Sequence, residues 1–190
     1  MIEEFGRLQE RRQDRETESL DMSFWPGSVP LKQRWRNNGL SADFLGDYVS
    51  TFFPLEENDP ATRARRNEVH GAVAFIANEL LENAMKFHDG ALPEPIRVRL
   101  ELRRDSIILQ QSNAVGIEEA ERFRIFVKQL RASDPAELYI QQIEANALSD
   151  DTAGMGYLTM INDYEAELAW RFEPLADAGI RVTTQVTIGI

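Results

Sequence analysis

The sequence predicts an α/β fold, a two-layer sandwich in which helices cover one face of a mixed, mostly antiparallel β-sheet. Two observations support this prediction. Alternating apolar and polar residues occur in two adjacent pairs of segments, at about residues 95–113 and 167–190, and such pairs are typical of β-hairpins. Segments with apolar residues at helical spacing precede the first pair and separate it from the second. Because amphipathic helices must bury their apolar side, we expect them to cover one face of the sheet.

Composition restricts the function. The chain has 190 residues, of which 43% are hydrophobic, as expected for one compact domain with a short extra segment. Its net charge of -11 argues against nucleic acid and anionic membranes as partners. The absence of Cys and the presence of only two His argue against disulfides, thiolate chemistry and His-rich metal sites. Without a signal-peptide pattern or a long apolar run, we expect a soluble, cytoplasmic protein.

The first 60 residues divide into two parts. Residues 1–21 are densely charged, which predicts a solvated tail or frayed helix outside the fold. Residues 22–60 form an N-terminal extension that begins with an irregular or extended aromatic strap containing Trp25 and Trp35. The extension continues with one helix, which Ser41 can cap and Pro54 ends.

Residues 61–190 form the main domain. A long helix over about 61–87 carries one apolar stripe and ends at the signal "HDG", and the first hairpin follows it. Two further helices, over about 117–131 and 135–148, form a lid at about 117–153, either as a mobile flap or as a packed helical hairpin. A short helix from Tyr157 to about Glu165 then leads into the C-terminal hairpin.

The long helix carries an unusual strip of polar residues. Glu79, Asn83 and Lys86 lie along the border of its apolar stripe, so they point towards one partly desolvated space. Such a strip suits a phosphate-bearing ligand with magnesium: Asn83 can bind the metal, Glu79 can accept a proton from a nucleophile, and Lys86 can offset phosphate charge. The alternative is an ordinary amphipathic helix whose edge carries an ion pair between Glu82 and Lys86.

The same stretch, "NELLENAMKF", resembles the N box of the histidine-kinase-like ATPases, the GHKL superfamily. The five matching residues are Asn78, Glu79, Asn83, Ala84 and Lys86. The resemblance implies the Bergerat ATP-binding fold, with ATP and Mg²⁺ as cofactors, Glu79 as the catalytic base and Asn83 as the magnesium ligand.

A second motif lies about 70 residues further on. "TAGMGYLTM" resembles the second glycine box of the superfamily, in which Gly154, Met155, Gly156 and Tyr157 would contact the nucleotide. Glycines allow the backbone to approach a triphosphate, and the N-terminus of the helix that follows presents N–H groups to anionic oxygens. Tyr157 replaces the usual Leu, and it packs either on the ligand or in the core.

The first glycine box of the superfamily departs from the pattern here. The corresponding stretch, "SNAVGI", has Ser112 where the family has an adenine-binding Asp, or Asn113 after a shift of one position, and it keeps Gly116. Either side chain can accept a hydrogen bond from adenine, but without the charge of a carboxylate. This departure leaves two explanations: a regulator that binds ATP weakly or differently, or a domain that kept the fold and lost the nucleotide.

A stand-alone domain of this size is similar to the anti-sigma-factor switch kinases and the SiaB-type kinases. The resemblance implies a bacterial signalling regulator, a serine/threonine kinase or anti-sigma-type switch protein, that acts on a STAS-domain or receiver-type partner. Two alternatives remain open. One is a nucleotide-independent pseudokinase adaptor. The other is a structural homodimer with Trp25, Trp35 and the helix around Phe44 to Phe53 in its interface.

Overall fold

A computed structural model of the chain describes residues 1–11, 17–25, 31–56, 59–146, 154–176 and 179–190, in which six strands form one sheet. The strands are β1 (Glu3–Phe5), β2 (Glu18–Phe24), β3 (Ile96–Leu102), β4 (Ser106–Gly116), β5 (Glu167–Pro174) and β6 (Gly179–Gly189). The helices are α1 (Leu31–Ser50), α2 (Pro60–Phe87), α3 (Ile117–Ala132), α4 (Pro135–Asn146) and α5 (Met155–Tyr164). The strand order is β1-β5-β6-β4-β3-β2, and every described neighbouring pair is antiparallel. The predicted two-layer α/β sandwich is confirmed.

The core lies between the sheet and α2. Leu100, Leu109 and Val186 lie side by side on β3, β4 and β6, and each is fully buried. Ile76 and Leu80 of α2 are fully buried in the same cluster. Successive residues of a strand point to opposite faces, so these residues mark the face of the sheet that the helix layer covers.

Helix α2 has clear signals at both ends, and its predicted range of 61–87 is confirmed to within one residue. The Asp59 side chain accepts a hydrogen bond of 2.9 Å from the backbone N–H of Ala61, and Pro60 occupies the first turn. At the other end, His88 is extended and its N–H donates to the Ala84 carbonyl at 3.0 Å.

The prediction that residues 1–21 lie outside the fold is wrong. Residues 3–5 form edge strand β1 against β5, and residues 18–24 form the opposite edge strand, β2, against β3. Phe5 is buried and packs edge-on against Phe172 at 5.8 Å between ring centroids. Edge strands pair mainly through backbone groups, and they tolerate charged side chains on the solvent side, which is why composition did not reveal them.

Between these two strands, residues 6–11 cross the outer face of the sheet, and we call them the N-terminal strap. The Gln9 N–H donates to Gln185 Oε1 of β6 at 3.2 Å. The Arg103 guanidinium donates to Gln9 Oε1 at 2.6 Å and to the Glu10 carbonyl at 2.9 Å. Arg103 is itself buried and ion-paired with buried Glu101 at 2.7 Å. The strap therefore covers polar groups that the helix layer does not reach.

Helix α1 begins at Leu31, ten residues before the predicted cap at Ser41, and ends at Ser50. The residues added at its start lack an apolar stripe, so periodicity did not predict them, although most of them are compatible with a helix. The predicted aromatic strap, which contains Trp25 and Trp35, has regular structure at both ends. Its start belongs to β2, which extends to Phe24, and its end belongs to α1. Residues 26–30, in its middle, lie outside the described residues.

Two faces of α1 differ sharply. Ala42, Leu45 and Val49 are buried in the same core as α2 and the sheet. On another side, an apolar row at four-residue spacing begins on α1 and ends just beyond it, and we call it the α1 stripe: Leu40, Phe44 and Phe52 are exposed, and Tyr48 is partly buried. Its rings follow one another, with centroids 6.4 Å apart for Phe44–Tyr48 and 5.4 Å apart for Tyr48–Phe52. Leu40, Phe44 and Phe52 thus bring three exposed apolar side chains close together on one side of the molecule.

The two helices of the predicted lid are present as α3 and α4, and they begin at the predicted residues. The last part of the predicted lid, residues 147–153, lies outside the described residues. Helix α5 begins two residues earlier than predicted, at Met155, and ends at Tyr164. In the parts of the chain that the structure describes, no helix is both long and apolar enough to span a membrane.

Candidate functional site

A cavity of about 840 Å³ lies between α2, α3, the start of α5 and the inner face of β4 and β6. Its size falls in the range of small-molecule sites in proteins. Helix α2 contributes five residues to its wall: Glu79, Glu82, Asn83, Lys86 and Phe87. All three residues of the predicted polar strip therefore face the same space.

The motif residue Asn78 has a different environment. Its Nδ2 donates to Glu82 Oε1 at 2.9 Å, and it does not line the cavity. The Lys86 ammonium lies 5.1 Å from the centroid of the Phe87 ring, and the described ion pairs do not include one between Glu82 and Lys86. The side chain of Lys86 is exposed, and among the described residues no ion pair joins its ammonium to a carboxylate.

The glycine turn before α5 closes the cavity opposite α2. Gly154 has φ +88°, a left-handed conformation that favours glycine, and a Cβ there would lie 2.7 Å from Phe126 Cε2. Gly156 touches the Glu79 side chain, since a Cβ on it would overlap the carboxylate and lie 2.8 Å from Glu79 Cδ. No described side chain caps the N-terminus of α5. Met155 begins the helix but does not line the cavity.

The Glu79 carboxyl is half-buried where the helix meets this turn. Burial raises its pKa above the usual value of 4.5, and the nearby Glu82 carboxylate raises it further. A carboxyl with a raised pKa accepts a proton more readily at neutral pH than an exposed one does. This position, beside a glycine turn and inside a cavity, is appropriate for a general base.

Tyr157 is buried and packs in the core, while its side chain also lines the cavity. Its ring lies 5.9 Å from Phe123 and from Phe126, and 6.0 Å from Trp170, between centroids. Burial raises the pKa of Tyr157 to about 12, although hydrogen-bonding interactions with Thr184 and Asn83 oppose the shift. Its hydroxyl therefore stays protonated and helps to hold the Asn83 amide.

The altered glycine box lies on β4, and the strand alternation decides which of its residues face the cavity. Gln111, Asn113 and Val115 line it, whereas Ser112 points to the opposite face of the sheet. Gly116 ends β4 and precedes α3 without lining the cavity. Of the two predicted positions for the missing Asp, the geometry places Asn113, and not Ser112, at the cavity.

Sequence reasoning did not identify several residues of the wall. The sheet adds Gln111, Val182 and Thr184, and α3 adds Glu119, Arg122, Phe123 and Phe126. The apolar pair on α3 was detectable as a three-residue spacing, but nothing local indicated that it faces the glycine turn. Gln111 and Thr184 are paired neighbours on β4 and β6, so only the strand register reveals them as one surface.

The described residues contain no group of three or more His, Asp or Glu side chains that could hold a metal ion by themselves. A metal at this site would therefore need oxygens from a ligand in addition to the Asn83 amide, as is usual for Mg²⁺ bound with phosphates.

The chain was compared with known proteins. No protein-family model matches it, and no curated protein matches it in sequence. Its fold is similar to that of a chain in the crystal structure of the SiaB–SiaC complex from Pseudomonas aeruginosa, with a TM-score of 0.52 and 14% sequence identity. The match covers 90% of this chain and 89% of that chain. This similarity shows the fold, and both the relationship to SiaB-type regulators and GHKL membership stay predictions.

Proposed function

We propose that the chain is a cytoplasmic bacterial signalling regulator that binds ATP with Mg²⁺ in this cavity and acts on a protein partner as a serine/threonine kinase or anti-sigma-type switch. The observation that carries the proposal is the cavity itself. It unites the polar strip of α2 with the glycine turn of α5, two motifs about 70 residues apart in the sequence. A scaffold helix has no structural need for three polar residues directed into such a space.

The residues present fit a nucleoside triphosphate. Gly154 and Gly156 line the cavity without side chains, and the uncapped N-terminus of α5 would present backbone N–H groups to anionic oxygens. Lys86 adds a positive charge to the same cavity. Asn83 would hold Mg²⁺, which when bound neutralises phosphate charge.

The proposed reaction assigns one step to Glu79. Its carboxyl would accept the proton of a Ser or Thr hydroxyl on the partner as that oxygen attacks the terminal phosphate. The raised pKa of Glu79 and its contact with Gly156 support this role, because a carboxyl with a raised pKa accepts a proton more readily and the contact brings it next to the backbone that we propose holds the phosphates. Lys86 would stabilise the negative charge that the transfer redistributes.

The proposed partner is a small STAS-domain or receiver-type protein. The similar fold occurs in a complex of two proteins, which supports a protein partner in general. Glu79 lines the cavity, so in this proposal a loop of the partner brings its hydroxyl into the cavity.

A second candidate is a nucleotide-independent adaptor. One observation favours it: the cavity side of β4 carries two neutral amides, Gln111 and Asn113, where a charged acceptor for adenine is expected. In this case the polar strip would contact the partner and not a nucleotide.

Calorimetry separates the two candidates. We expect ATP to bind with Mg²⁺ and more weakly without it, and Asn83→Ala to weaken binding about tenfold or more, because it removes the proposed metal ligand. Asn67→Ala is the matched control, since Asn67 is exposed on the same helix and outside the cavity. It should leave the affinity unchanged. Folded wild-type protein that shows no heat at millimolar ATP would favour the adaptor.

A further inference from the structure

Two buried amides on β4 form a hydrogen-bonded pair on the cavity floor. Gln111 is 2% exposed and Asn113 is 6% exposed, and both line the cavity. Gln111 Nε2 donates to Asn113 Oδ1 at 2.9 Å. Their separation by two residues on one strand puts both side chains on the same face of the sheet. We refer to them as the amide pair.

We propose that the amide pair reads the edge of a bound purine and accepts both 6-amino and 6-oxo purines, so that the site binds ATP and GTP with similar affinity. This inference rests on the proposed nucleotide site. It differs from the prediction made from the sequence, in which a single residue at position 112 or 113 accepts a hydrogen bond from adenine.

The hydrogen bond within the amide pair determines what the pair can offer a ligand. This bond uses Gln111 Nε2 as the donor and Asn113 Oδ1 as the acceptor. It leaves Asn113 Nδ2 as a donor and Gln111 Oε1 as an acceptor for a ligand. One donor next to one acceptor complements a planar edge with the opposite pattern. The cationic side chains of the cavity, Lys86 and Arg122, and the backbone N–H groups at the start of α5 suit phosphates better than they suit a heterocyclic base.

Rotating both amides by half a turn keeps their mutual hydrogen bond. Amide oxygen and NH₂ have nearly the same shape, so the rotated pair fills the same space. Asn113 then offers an acceptor and Gln111 a donor. The edge of adenine has an amino donor beside the N1 acceptor, whereas that of guanine has the O6 acceptor beside the N1–H donor. Each base therefore complements one of the two states.

A carboxylate on the same face would remove this choice. An ionised Asp at position 113 can only accept, so it can receive a hydrogen bond from the amino group of adenine, while the two N–H groups of Gln111 Nε2 donate to the carboxylate and to N1 of adenine. It would face the O6 atom of guanine as one acceptor against another. Because Ser112 lies on the opposite face of the sheet, a carboxylate there would not reach the ligand.

The test measures the affinity of ATP and of GTP, each with Mg²⁺, by calorimetry for the wild type, Asn113→Asp and Ser112→Asp. We expect wild-type dissociation constants within about tenfold of each other, and a preference of Asn113→Asp for ATP that is larger by at least about tenfold. Ser112→Asp is the matched control and should keep the wild-type ratio. Thermal melting verifies that each variant is folded.

The outcomes separate this inference from the proposed function. A wild-type preference of more than about tenfold for either nucleotide would overturn the inference and leave the proposed nucleotide site standing. The inference also fails if Asn113→Asp keeps the wild-type ratio, or if Ser112→Asp changes it. Folded wild-type protein that binds neither nucleotide would overturn both proposals.

Discussion

Glu79 and Gly156 contact each other although 77 positions separate them in the chain, and this contact locates the candidate chemistry. The absence of a side chain on Gly156 lets the carboxylate lie against the backbone of the glycine turn. Any larger residue at 156 would displace the carboxylate towards solvent. The identity of Gly156 is thus explained by its partner and not by its backbone angles alone.

The raised pKa of Glu79 predicts a pH dependence of stability. Because the carboxyl has a higher pKa in the folded state than its ordinary value of 4.5, its protonated form stabilises the fold below about pH 4.5. This contribution is lost as the pH rises through the raised pKa. We therefore expect Glu79→Gln, which cannot ionise, to gain stability relative to the wild type as the pH rises from 4 towards 8. Urea unfolding across this range measures the difference.

Glu68→Gln controls for the loss of a carboxylate elsewhere on α2, because Glu68 is exposed and forms only a surface ion pair with Arg65. Its difference from the wild type should change little over the same range. If the Glu79→Gln difference were also independent of pH, the carboxyl would not be desolvated by the fold.

At the scale of elements, the N-terminal strap, which follows β1, is tied to the end of β3 through a buried ion pair. Among the described residues, only Arg103 donates hydrogen bonds both to Glu101 and to the strap. Its acceptors in the strap are Gln9 Oε1 and the Glu10 carbonyl. A segment that looks like a solvated tail in the sequence therefore supplies partners to buried groups, through the Gln9 amide and the Glu10 carbonyl. The strap also reduces the exposure of the outer face of β6, where Gln185 is 1% exposed.

Removal of the Arg103 guanidinium should loosen the strap. We expect Arg103→Met to lower the free energy of unfolding by about 3–5 kcal/mol, because it leaves buried Glu101 without its partner. Chemical denaturation measures the loss, and hydrogen exchange should show faster exchange at residues 3–10. The exposed neighbour Arg104 supplies the control, and Arg104→Met should change stability by less than about 0.5 kcal/mol. Equal effects of both substitutions would contradict this account of the strap.

At the scale of the whole molecule, the α1 stripe is available for association. Leu40 is 68% exposed, Phe44 50% and Phe52 45%, although these residues could bury a large apolar area against a second helix. The homodimer considered from the sequence stays a prediction, and the stripe gives it a defined surface. Trp25, a second residue of the predicted interface, is 56% exposed and directly follows edge strand β2.

Light scattering tests this association. We expect a dimer at micromolar concentration that is stronger in 0.5 M than in 0.05 M salt, on the order of a few-fold, because salt screens repulsion between chains of net charge -11. The acidic residues Asp43 and Asp47 beside the stripe add to that repulsion. Phe44→Ser should yield a monomer, whereas Ile140→Ser, an equally exposed change on α4, should not. A wild-type monomer at both salt concentrations would refute the dimer.

Helix α2, both hairpins and the two-layer architecture were predictable from the sequence, because each depends on a periodic pattern or a cap within a few residues. The polar strip was predictable for the same reason, since one helix determines the direction of Glu79, Asn83 and Lys86 relative to its apolar stripe. Whether nucleotide binds there remains a prediction.

Only the tertiary structure decided three other features. It placed the charged N-terminus on both edges of the sheet, since strand pairing there depends on backbone groups of distant residues. It selected Asn113 over Ser112 as a cavity residue, because a shift of one position turns a side chain to the opposite face of a strand. It also buried Tyr157 between the core and the cavity. In each case the deciding contact joins segments far apart in the chain, so the sequence by itself determines the elements, and packing determines which of their faces meet.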